Sequence, residues 1–335
     1  MLKSRLSLAE YQSGIRNGDT FVLAQAITLV ESTLPQDRQL ADQLLTTILP
    51  FTGNSIRLGI TGIPGVGKST FIEAFGKYIT KLNKKLAVLT VDPSSQLTKG
   101  SILGDKTRME ELSRNNLAFI RPSSSGSAMG GVTLTTREAI LLCEASGYEV
   151  IVVETVGVGQ SEVAIKNMVD FFLLLMLPGA GDELQGLKKG IIEMADALVI
   201  TKADGENIKK AREAQAEYQH ALHLLPSSSN GSRINVLTCS AVANEGIDSI
   251  WSMINSHIIT IKESGFFHQN REQQNIHWFH DCFNNLLSQD ISLLDRLAKS
   301  KRTLEDRVRR KEIPVRTAAR EMLDIYHEVL RGSKS

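Results

Sequence analysis

The chain has 335 residues, of which 42% are hydrophobic and 22% charged, proportions that exclude a disordered or fibrous protein. Its 38 basic and 37 acidic side chains nearly cancel, so the charge gives no support to a nucleic-acid or membrane-surface binder. Three widely separated cysteines, Cys143, Cys239 and Cys282, favour a reduced protein. The sequence shows neither a secretion signal nor an apolar run of membrane-spanning length, and we therefore expect a cytoplasmic protein.

Three zones follow one another along the chain. Residues 1–54 carry apolar side chains at helical spacing and predict a helical N-terminal extension. Residues 55–262 alternate short apolar runs with amphipathic stretches and predict one large α/β domain. Residues 263–335 show no strand pattern, and the apolar stripe between Trp278 and Phe283 predicts a helical C-terminal extension. Because a few helices alone form only a small hydrophobic core, we expect this extension to pack against the main domain or a second subunit.

Seven short apolar runs in the central zone are candidate strands. They cover residues 56–61, 86–91, 117–121, 150–153, 171–177, 197–201 and 234–238. Most are continuously apolar rather than alternating, which is typical of strands buried on both faces of a parallel sheet. Their alternation with helices predicts a mostly parallel, doubly wound sheet.

The strongest motif is GIPGVGKST, which directly follows the first expected strand and precedes a helical pattern. Its glycines allow backbone N–H groups to converge on phosphate oxygens at a helix N-terminus. Lys68 is expected to reach the β- and γ-phosphates, and the Ser69 hydroxyl to bind Mg²⁺. The expected phosphate-binding residues are Gly62, Ile63, Pro64, Gly65, Val66, Gly67, Lys68, Ser69 and Thr70. The motif and the strands together predict a P-loop NTPase fold flanked by helical N- and C-terminal extensions.

A second motif indicates which base is bound. The sixth expected strand ends in Thr201-Lys202-Ala203-Asp204, close to the NKxD motif of GTPases. An aspartate at this position accepts hydrogen bonds from N1–H and the 2-amino group of guanine, a donor pair that adenine lacks. Lys202 is expected to lie along the base plane. Thr201 departs from the usual asparagine, which supports the phosphate loop and contacts guanine N7, so guanine affinity is left open.

A third short motif follows the last expected strand. Ser240, Ala241 and Val242 resemble the loop that contacts guanine O6 through backbone N–H groups. Each of the short motifs is weak alone, but their order and spacing together favour guanine over adenine.

Acidic residues stand at or between the strand ends beside the phosphate loop. Asp92 and Glu154 each follow an apolar strand, and Asp105 lies in the loop between them. Carboxylates at the carboxyl ends of parallel strands hold Mg²⁺ directly or through water. Each of these acids could instead cap a loop or be a solvated charge. Gly157 and Gly159 would give the loop after Glu154 the freedom to respond to the γ-phosphate.

Several blocks, taken in order, resemble one family. They are GIPGVGKST, VDPSS, GDKTRM, RPSSSG, ETVGVGQSE and PGAGDELQGLKKGIIEMADALVITKADG. These blocks resemble the MeaB/ArgK/MMAA family of P-loop GTPases, which act as chaperones of adenosylcobalamin-dependent methylmalonyl-CoA mutase. The resemblance implies GTP or GDP and Mg²⁺ as ligands. It also implies that the chain binds such a mutase, or a related acyl-CoA mutase, and gates the loading, protection and reactivation of its cofactor.

The resemblance also assigns residue roles. Lys68 becomes the phosphate lysine and Asp204 the guanine reader, while the magnesium shell comprises Ser69, Asp92, Asp105 and Glu154. Residues 179–189 correspond to a further switch that responds to the mutase, with Asp182 and Lys188 as its charged members. Family members form homodimers through the C-terminal extension, which implies the same for residues 263–335.

Two questions stay open at the level of sequence. No glutamine occupies the position that orients water in Ras-type GTPases, so slow hydrolysis is expected from the isolated protein, and Gln160 is an alternative for that role. A rival function is that of a GTP- or ATP-dependent kinase acting on a periplasmic amino-acid transport component, although no HRD-like catalytic loop is present. A second rival is a regulatory binding module in which hydrolysis matters little.

Overall fold

The computed structural model describes residues 5–91, 109–123, 129–155, 162–179, 189–223, 234–293 and 295–332. The chain forms two compact units, Met1–Asn275 and Ile276–Ser335. The domain limits expected from sequence, at residues 54/55 and 262/263, remain a prediction.

Three helices precede the sheet: α1 (Leu8–Arg16), α2 (Thr20–Val30) and α3 (Pro35–Ile48). The first turns of α1 and α2 are stabilised locally, because Ser7 forms a capping box with Glu10 and the Asp19 carboxylate accepts from two backbone N–H groups of α2. Many of their apolar side chains are buried, and Tyr11, Leu23 and Leu44 are at most 1% exposed. A short 3₁₀ helix, Leu49–Phe51, leads into the sheet.

Seven strands form one sheet, and every pairing in it is parallel. They are β1 (Ile56–Gly62), β2 (Leu86–Val91), β3 (Ala118–Ser123), β4 (Val150–Thr155), β5 (Phe171–Met176), β6 (Ala197–Ile200) and β7 (Asn235–Thr238). Their order across the sheet is β3-β2-β4-β1-β5-β6-β7. The expected α/β sheet is confirmed, and it is wholly rather than mostly parallel. The direction in which successive strands are added changes at β1. Doubly wound sheets bind ligands at such a switch point, beyond the carboxyl ends of the strands.

Helices between and after the strands cover both faces of the sheet. They are α4 (Lys68–Lys81), α5 (Glu110–Ser113), α6 (Met129–Ala145), α7 (Glu162–Lys166), α8 (Lys189–Met194), α9 (Asn207–His223) and α10 (Ile247–Glu263). Alternate residues of a strand enter different cores. Val152 of β4 packs in a cluster with Phe75 of α4 and Trp251 of α10, whereas Val153 belongs to a cluster that includes the N-terminal helices and α6. A sheet buried on both faces explains its continuously apolar strands.

The last three helices are α11 (Phe266–Leu293), α12 (Asp295–Arg309) and α13 (Val315–Gly332). Within the second unit, Leu304, Ile313 and Ala318 form a small buried cluster, and Arg307 of α12 pairs with Glu321 of α13 at 2.7 Å. The expected helical C-terminal extension is thus confirmed. Across the described parts of the chain, no helix combines the length and apolar character needed to cross a membrane.

A buried ionic network fastens the beginning of α11 at the amino ends of the central strands. Arg271 donates to both carboxylate oxygens of Asp170, which precedes β5, at 2.8 and 2.7 Å. Its guanidinium also donates to the carbonyl oxygens of Gly53 and Ser55, just before β1. Glu144 of α6 accepts two bonds of 2.9 Å from Arg57. The network lies opposite the strand ends where the nucleotide is expected.

Candidate nucleotide-binding site

The loop between β1 and α4 has the backbone geometry of a phosphate cradle. Gly65 and Gly67 adopt φ values of +80° and +92°, a region that favours glycine, and Gly67 is the N-cap of α4. The helix begins at Lys68, so the N–H groups of its first turn have no partner within the helix and are directed toward the loop. The partial positive charge of the helix start favours an anion at this position.

Lys68 brings a positive charge over the loop. Its Nζ donates to the carbonyl oxygen of Gly62 at 2.7 Å and to that of Ile63 at 3.4 Å. Burial lowers the pKa of this amine, and the carboxylates of Glu154 and Glu162 act in the opposite direction. The ammonium therefore donates to two loop carbonyls and feels the negative charge of two acidic side chains.

Glu154 lies at the carboxyl end of β4, next to the phosphate loop. It is 4% exposed, and in the sheet register it is the partner of Ile60, two residues before the loop begins. The following residue, Thr155, donates from its hydroxyl to that of Thr61 at 2.8 Å, and both side chains are fully buried. Ser69 is half-buried in the first turn of α4. A carboxylate and a hydroxyl are hard oxygen donors of the kind that Mg²⁺ prefers.

Glu162 is an acidic residue of this region that the sequence reasoning did not single out. It is the first residue of α7, is 2% exposed, and acts electrostatically on Lys68. The only sequence indication was its place as the last residue of the ETVGVGQSE block. Charged side chains are seldom so deeply buried unless they are paired, which makes Glu162 a candidate member of the site.

Thr201 and Lys202 connect the expected base site to the phosphate loop. The Thr201 hydroxyl, 3% exposed, donates to the carbonyl oxygen of Val66 at 2.7 Å and lies 3.2 Å from that of Met176. Lys202 Nζ donates to the carbonyl oxygen of Gly65 at 2.8 Å. Lys202 adopts φ +55°, an uncommon conformation for a residue with a side chain, and such strain is concentrated at functional sites.

Asp204 and Ser240 form the part of the site assigned to the base. The Ser240 hydroxyl donates to Asp204 Oδ2 at 2.5 Å, and the Ser240 oxygen accepts from the backbone N–H of Ala243. Ser240 and Glu245 exchange two backbone hydrogen bonds, which close the loop between them. Within this loop Ala241 is half-buried and Val242 is 81% exposed. The loop therefore fixes the orientation of the Asp204 carboxylate.

The structure thus brings together two groups of the residues predicted from sequence. The phosphate loop, Glu154 and Ser69 form one group, and Thr201, Lys202, Asp204 and Ser240 form the other, with Thr201 and Lys202 bonded to the loop. Asp92, Asp105, Gln160, Asp182 and Lys188 lie outside the described residues. Their roles stay predictions.

The parallel sheet, the phosphate loop and the two loops at residues 201–204 and 240–242 define a P-loop GTPase. The profile of the family described as "Methylmalonyl Co-A mutase-associated GTPase MeaB" matches residues 23–294. The chain belongs to this family.

Individual relatives agree with that assignment. "GTPase ArgK" of Escherichia coli (strain K12) is 50% identical over 272 residues, which are 81% of this chain and 82% of that protein. "Methylmalonic aciduria type A homolog, mitochondrial" of Mus musculus is 50% identical over 276 residues, 79% of this chain and 66% of that protein. A crystal structure described as "LAO/AO transport system kinase" superposes with a TM-score of 0.77 at 38% identity, covering 98% of this chain and 100% of its own. The chain is accordingly a guanine-nucleotide-binding GTPase.

Proposed function

We propose that this GTPase is a Mg²⁺-dependent chaperone of an adenosylcobalamin-dependent acyl-CoA mutase of the methylmalonyl-CoA mutase type. It would bind the mutase and use GTP binding and hydrolysis to gate cofactor loading, protection and reactivation. The observation that carries this proposal is the match over residues 23–294 to a family described by its association with that mutase.

The described residues suit hydrolysis of GTP to GDP and phosphate. Water attacks the γ-phosphorus in line, the bond to the bridging oxygen breaks, and GDP leaves on that oxygen. Lys68 and the N–H groups at the start of α4 would stabilise the charge that develops on the phosphate oxygens. Ser69 and Glu154, together with Asp92 and Asp105 from the sequence prediction, would hold Mg²⁺, which supplies further charge neutralisation. Gln160 is our candidate for orienting the water.

Residues 179–189 are the proposed switch that responds to the mutase. Their first residue, Gly179, ends the described segment after β5 with φ +78°. We propose that docking of the mutase brings Lys188 to the γ-phosphate and that Asp182 exchanges partners in the same transition. An added cation there would act as an arginine finger does in other GTPases.

A homodimer is the proposed assembly, with residues 263–335 as the dimerisation extension. In α11 a run of side chains at spacings of three, four, three and one residues is exposed although apolar. Its members are Ile276, Phe279, Phe283, Leu286 and Leu287, between 39% and 63% exposed. Such a face on one helix supports burial against a second copy.

The decisive experiment is paired measurement of GTP turnover by the Lys188→Ala variant and the unaltered protein, with and without a saturating cognate mutase. We expect equal basal rates, stimulation of the unaltered protein by the mutase, and little stimulation of the variant. Complex formation is measured separately by sedimentation. A variant that binds the mutase and is still fully stimulated would contradict the role of Lys188, and a protein that neither binds nor responds to any such mutase would contradict the chaperone function.

The rival function is phosphoryl transfer to a transport component. The observation that favours it is the description of the superposed structure as a transport system kinase. Incubation with GTP labelled on the γ-phosphate separates the two functions, because a hydrolase releases labelled phosphate whereas a kinase labels the acceptor protein. Transfer to an amino-acid-binding transport protein at the rate of turnover would favour the kinase.

A further inference from the structure

The side chain at position 201 has no second hydrogen to donate to a nucleotide. A threonine hydroxyl carries a single hydrogen. In this structure that hydrogen is directed to the carbonyl oxygen of Val66 at 2.7 Å, with the carbonyl of Met176 at 3.2 Å as the neighbouring acceptor. Both acceptors belong to the protein, and Thr201 is 3% exposed.

The asparagine that usually occupies this position has a different capacity. Its amide carries two hydrogens, so it can hold the phosphate loop with one and donate to a base with the other. Guanine N7 is only an acceptor and therefore requires a donor. A hydroxyl whose one hydrogen holds the loop cannot also supply that donor.

We infer that the side chain at position 201 of this GTPase supports the phosphate loop and does not read guanine N7, so that base selection depends on the opposite edge of the base. That edge is the one assigned to Asp204, whose carboxylate is oriented by the 2.5 Å bond from Ser240. The inference rests on the proposed placement of the base beside Asp204. Under this inference the protein recognises guanine by its N1–H and 2-amino groups, and it tolerates bases in which N7 is replaced.

The test compares two ligands that differ only at this atom. GDP and 7-deaza-GDP, in which a C–H replaces N7, are titrated calorimetrically into the full-length protein and three variants. Thr201→Val removes the hydroxyl with little change in volume, Thr201→Ser keeps it, and Thr201→Asn restores the second donor. The ratio of the two dissociation constants measures how much a contact with N7 contributes to binding. A change that affects both dissociation constants equally measures how much the side chain stabilises the phosphate loop.

We expect the unaltered protein and the serine variant to bind the two ligands within about twofold of each other, as the single committed hydrogen implies. Thr201→Val should weaken the binding of both ligands by the same factor and leave the ratio of their dissociation constants unchanged. Thr201→Asn, if it folds, should favour GDP severalfold. A clear preference of the unaltered protein for GDP that disappears in Thr201→Val would overturn the inference.

A separate measurement distinguishes failure of this inference from failure of the base assignment. Asp204→Asn should shift preference from guanine toward xanthine nucleotides, because it exchanges an acceptor for a donor at one point of contact. If that variant kept full preference for GDP over XDP, Asp204 would not read the base, and the placement on which the inference rests would fail. If the shift occurs while Thr201→Val abolishes a preference for N7, only the inference about position 201 fails.

Discussion

Lys68 is the residue whose removal should affect turnover most directly. Its ammonium lies over the phosphate loop, 2.7 Å from the carbonyl oxygen of Gly62, at the start of α4. We expect Lys68→Ala to lower kcat for GTP hydrolysis by at least about a hundredfold, since one preorganised charge or donor at a transition state contributes that much. The measurement is phosphate release at saturating GTP, with circular dichroism to verify the fold.

Lys77 provides the matched control on the same helix. It is bonded to Glu111 near the surface, nine residues beyond Lys68. Lys77→Ala should therefore retain the turnover of the unaltered protein. Equal activity of a folded Lys68→Ala variant would remove the basis for the phosphate site.

The Asp204 and Ser240 pair shows how residue-scale geometry arises from distant parts of the sequence. The two residues are 36 positions apart, and Asp204 follows β6 whereas Ser240 follows β7. Because β6 and β7 are parallel neighbours, their carboxyl ends meet at the same edge of the sheet. The order and spacing of the two motifs favoured a joint role in binding guanine, and the pairing of β6 with β7 places both residues at one edge of the sheet.

At the scale of elements, the ionic network around Arg271 should dominate the stability of the contact between α11 and the sheet. Burial by itself raises the pKa of Glu144, but hydrogen bonds and the charge of Arg57, with the charge of Arg271, keep it below its ordinary value. The Asp170 and Glu144 side chains are both only 1% exposed. Removing Arg271 would leave buried carboxylate charge without its partner.

We expect Arg271→Ala to lower the free energy of unfolding by about 3–5 kcal/mol, the usual cost of breaking a buried ion pair. The control is Arg310→Ala, because the pair that Arg310 makes with Glu312, at 3.8 Å, is exposed. That change should cost less than about 1 kcal/mol. Urea unfolding followed by fluorescence provides the comparison, and equal losses in the two variants would contradict the structural role of the network.

Glu138 of α6 gives the contact between α6 and α3 a pH dependence. Burial raises its pKa to about 7, Arg38 of α3 opposes the shift and Asp42 adds to it. A carboxyl group with a raised pKa binds more protons in the folded state than in the unfolded state, so its contribution to stability is lost as pH rises from about 4.5 to about 7. Above that window the charge of this partly buried carboxylate costs at most about 3 kcal/mol.

Glu138→Gln should therefore raise the melting temperature at pH 8 and lose this advantage near pH 4.5, where the unaltered carboxyl is protonated. Thermal unfolding of both proteins across this range measures the difference. If the two melting temperatures differed by the same amount at every pH, Glu138 would keep one charge state throughout, and the expected rise in its pKa on burial would be contradicted.

The sequence predicted elements more completely than it predicted contacts. All seven strands were expected, and their observed ends differ by at most two residues, because continuous apolar runs bounded by loop residues are a strong local pattern. Thr201, expected as the last residue of its strand, instead lies one residue beyond β6. The bond between Arg271 and Asp170 joins residues 101 positions apart, and no local pattern predicts such a pairing. Glu162 was not predicted as a site residue for the same reason. Its burial and its electrostatic effect on Lys68 depend on the folded structure and not on a local sequence pattern.

At the scale of the whole molecule, α11 presents a face of exposed apolar side chains. Phe279 and Phe283 are 63% and 51% exposed, and their rings are stacked with centroids 6.3 Å apart. Burial of each ring against a second copy would contribute roughly 2 kcal/mol. Because both copies carry the substitutions, replacing both residues by serine removes four rings from the proposed interface and should raise the dissociation constant by about five orders of magnitude.

Sedimentation equilibrium of the Phe279→Ser, Phe283→Ser double variant tests this directly. We expect the unaltered protein to sediment as a dimer at micromolar concentration and the double variant as a monomer. Basal hydrolysis should be unchanged if the phosphate site is contained within one chain. Phe21→Ser is the matched control, because Phe21 of α2 is also 61% exposed but is not part of the α11 face. If the double variant stayed dimeric, or if Phe21→Ser dissociated the protein equally well, the interface would have to lie elsewhere.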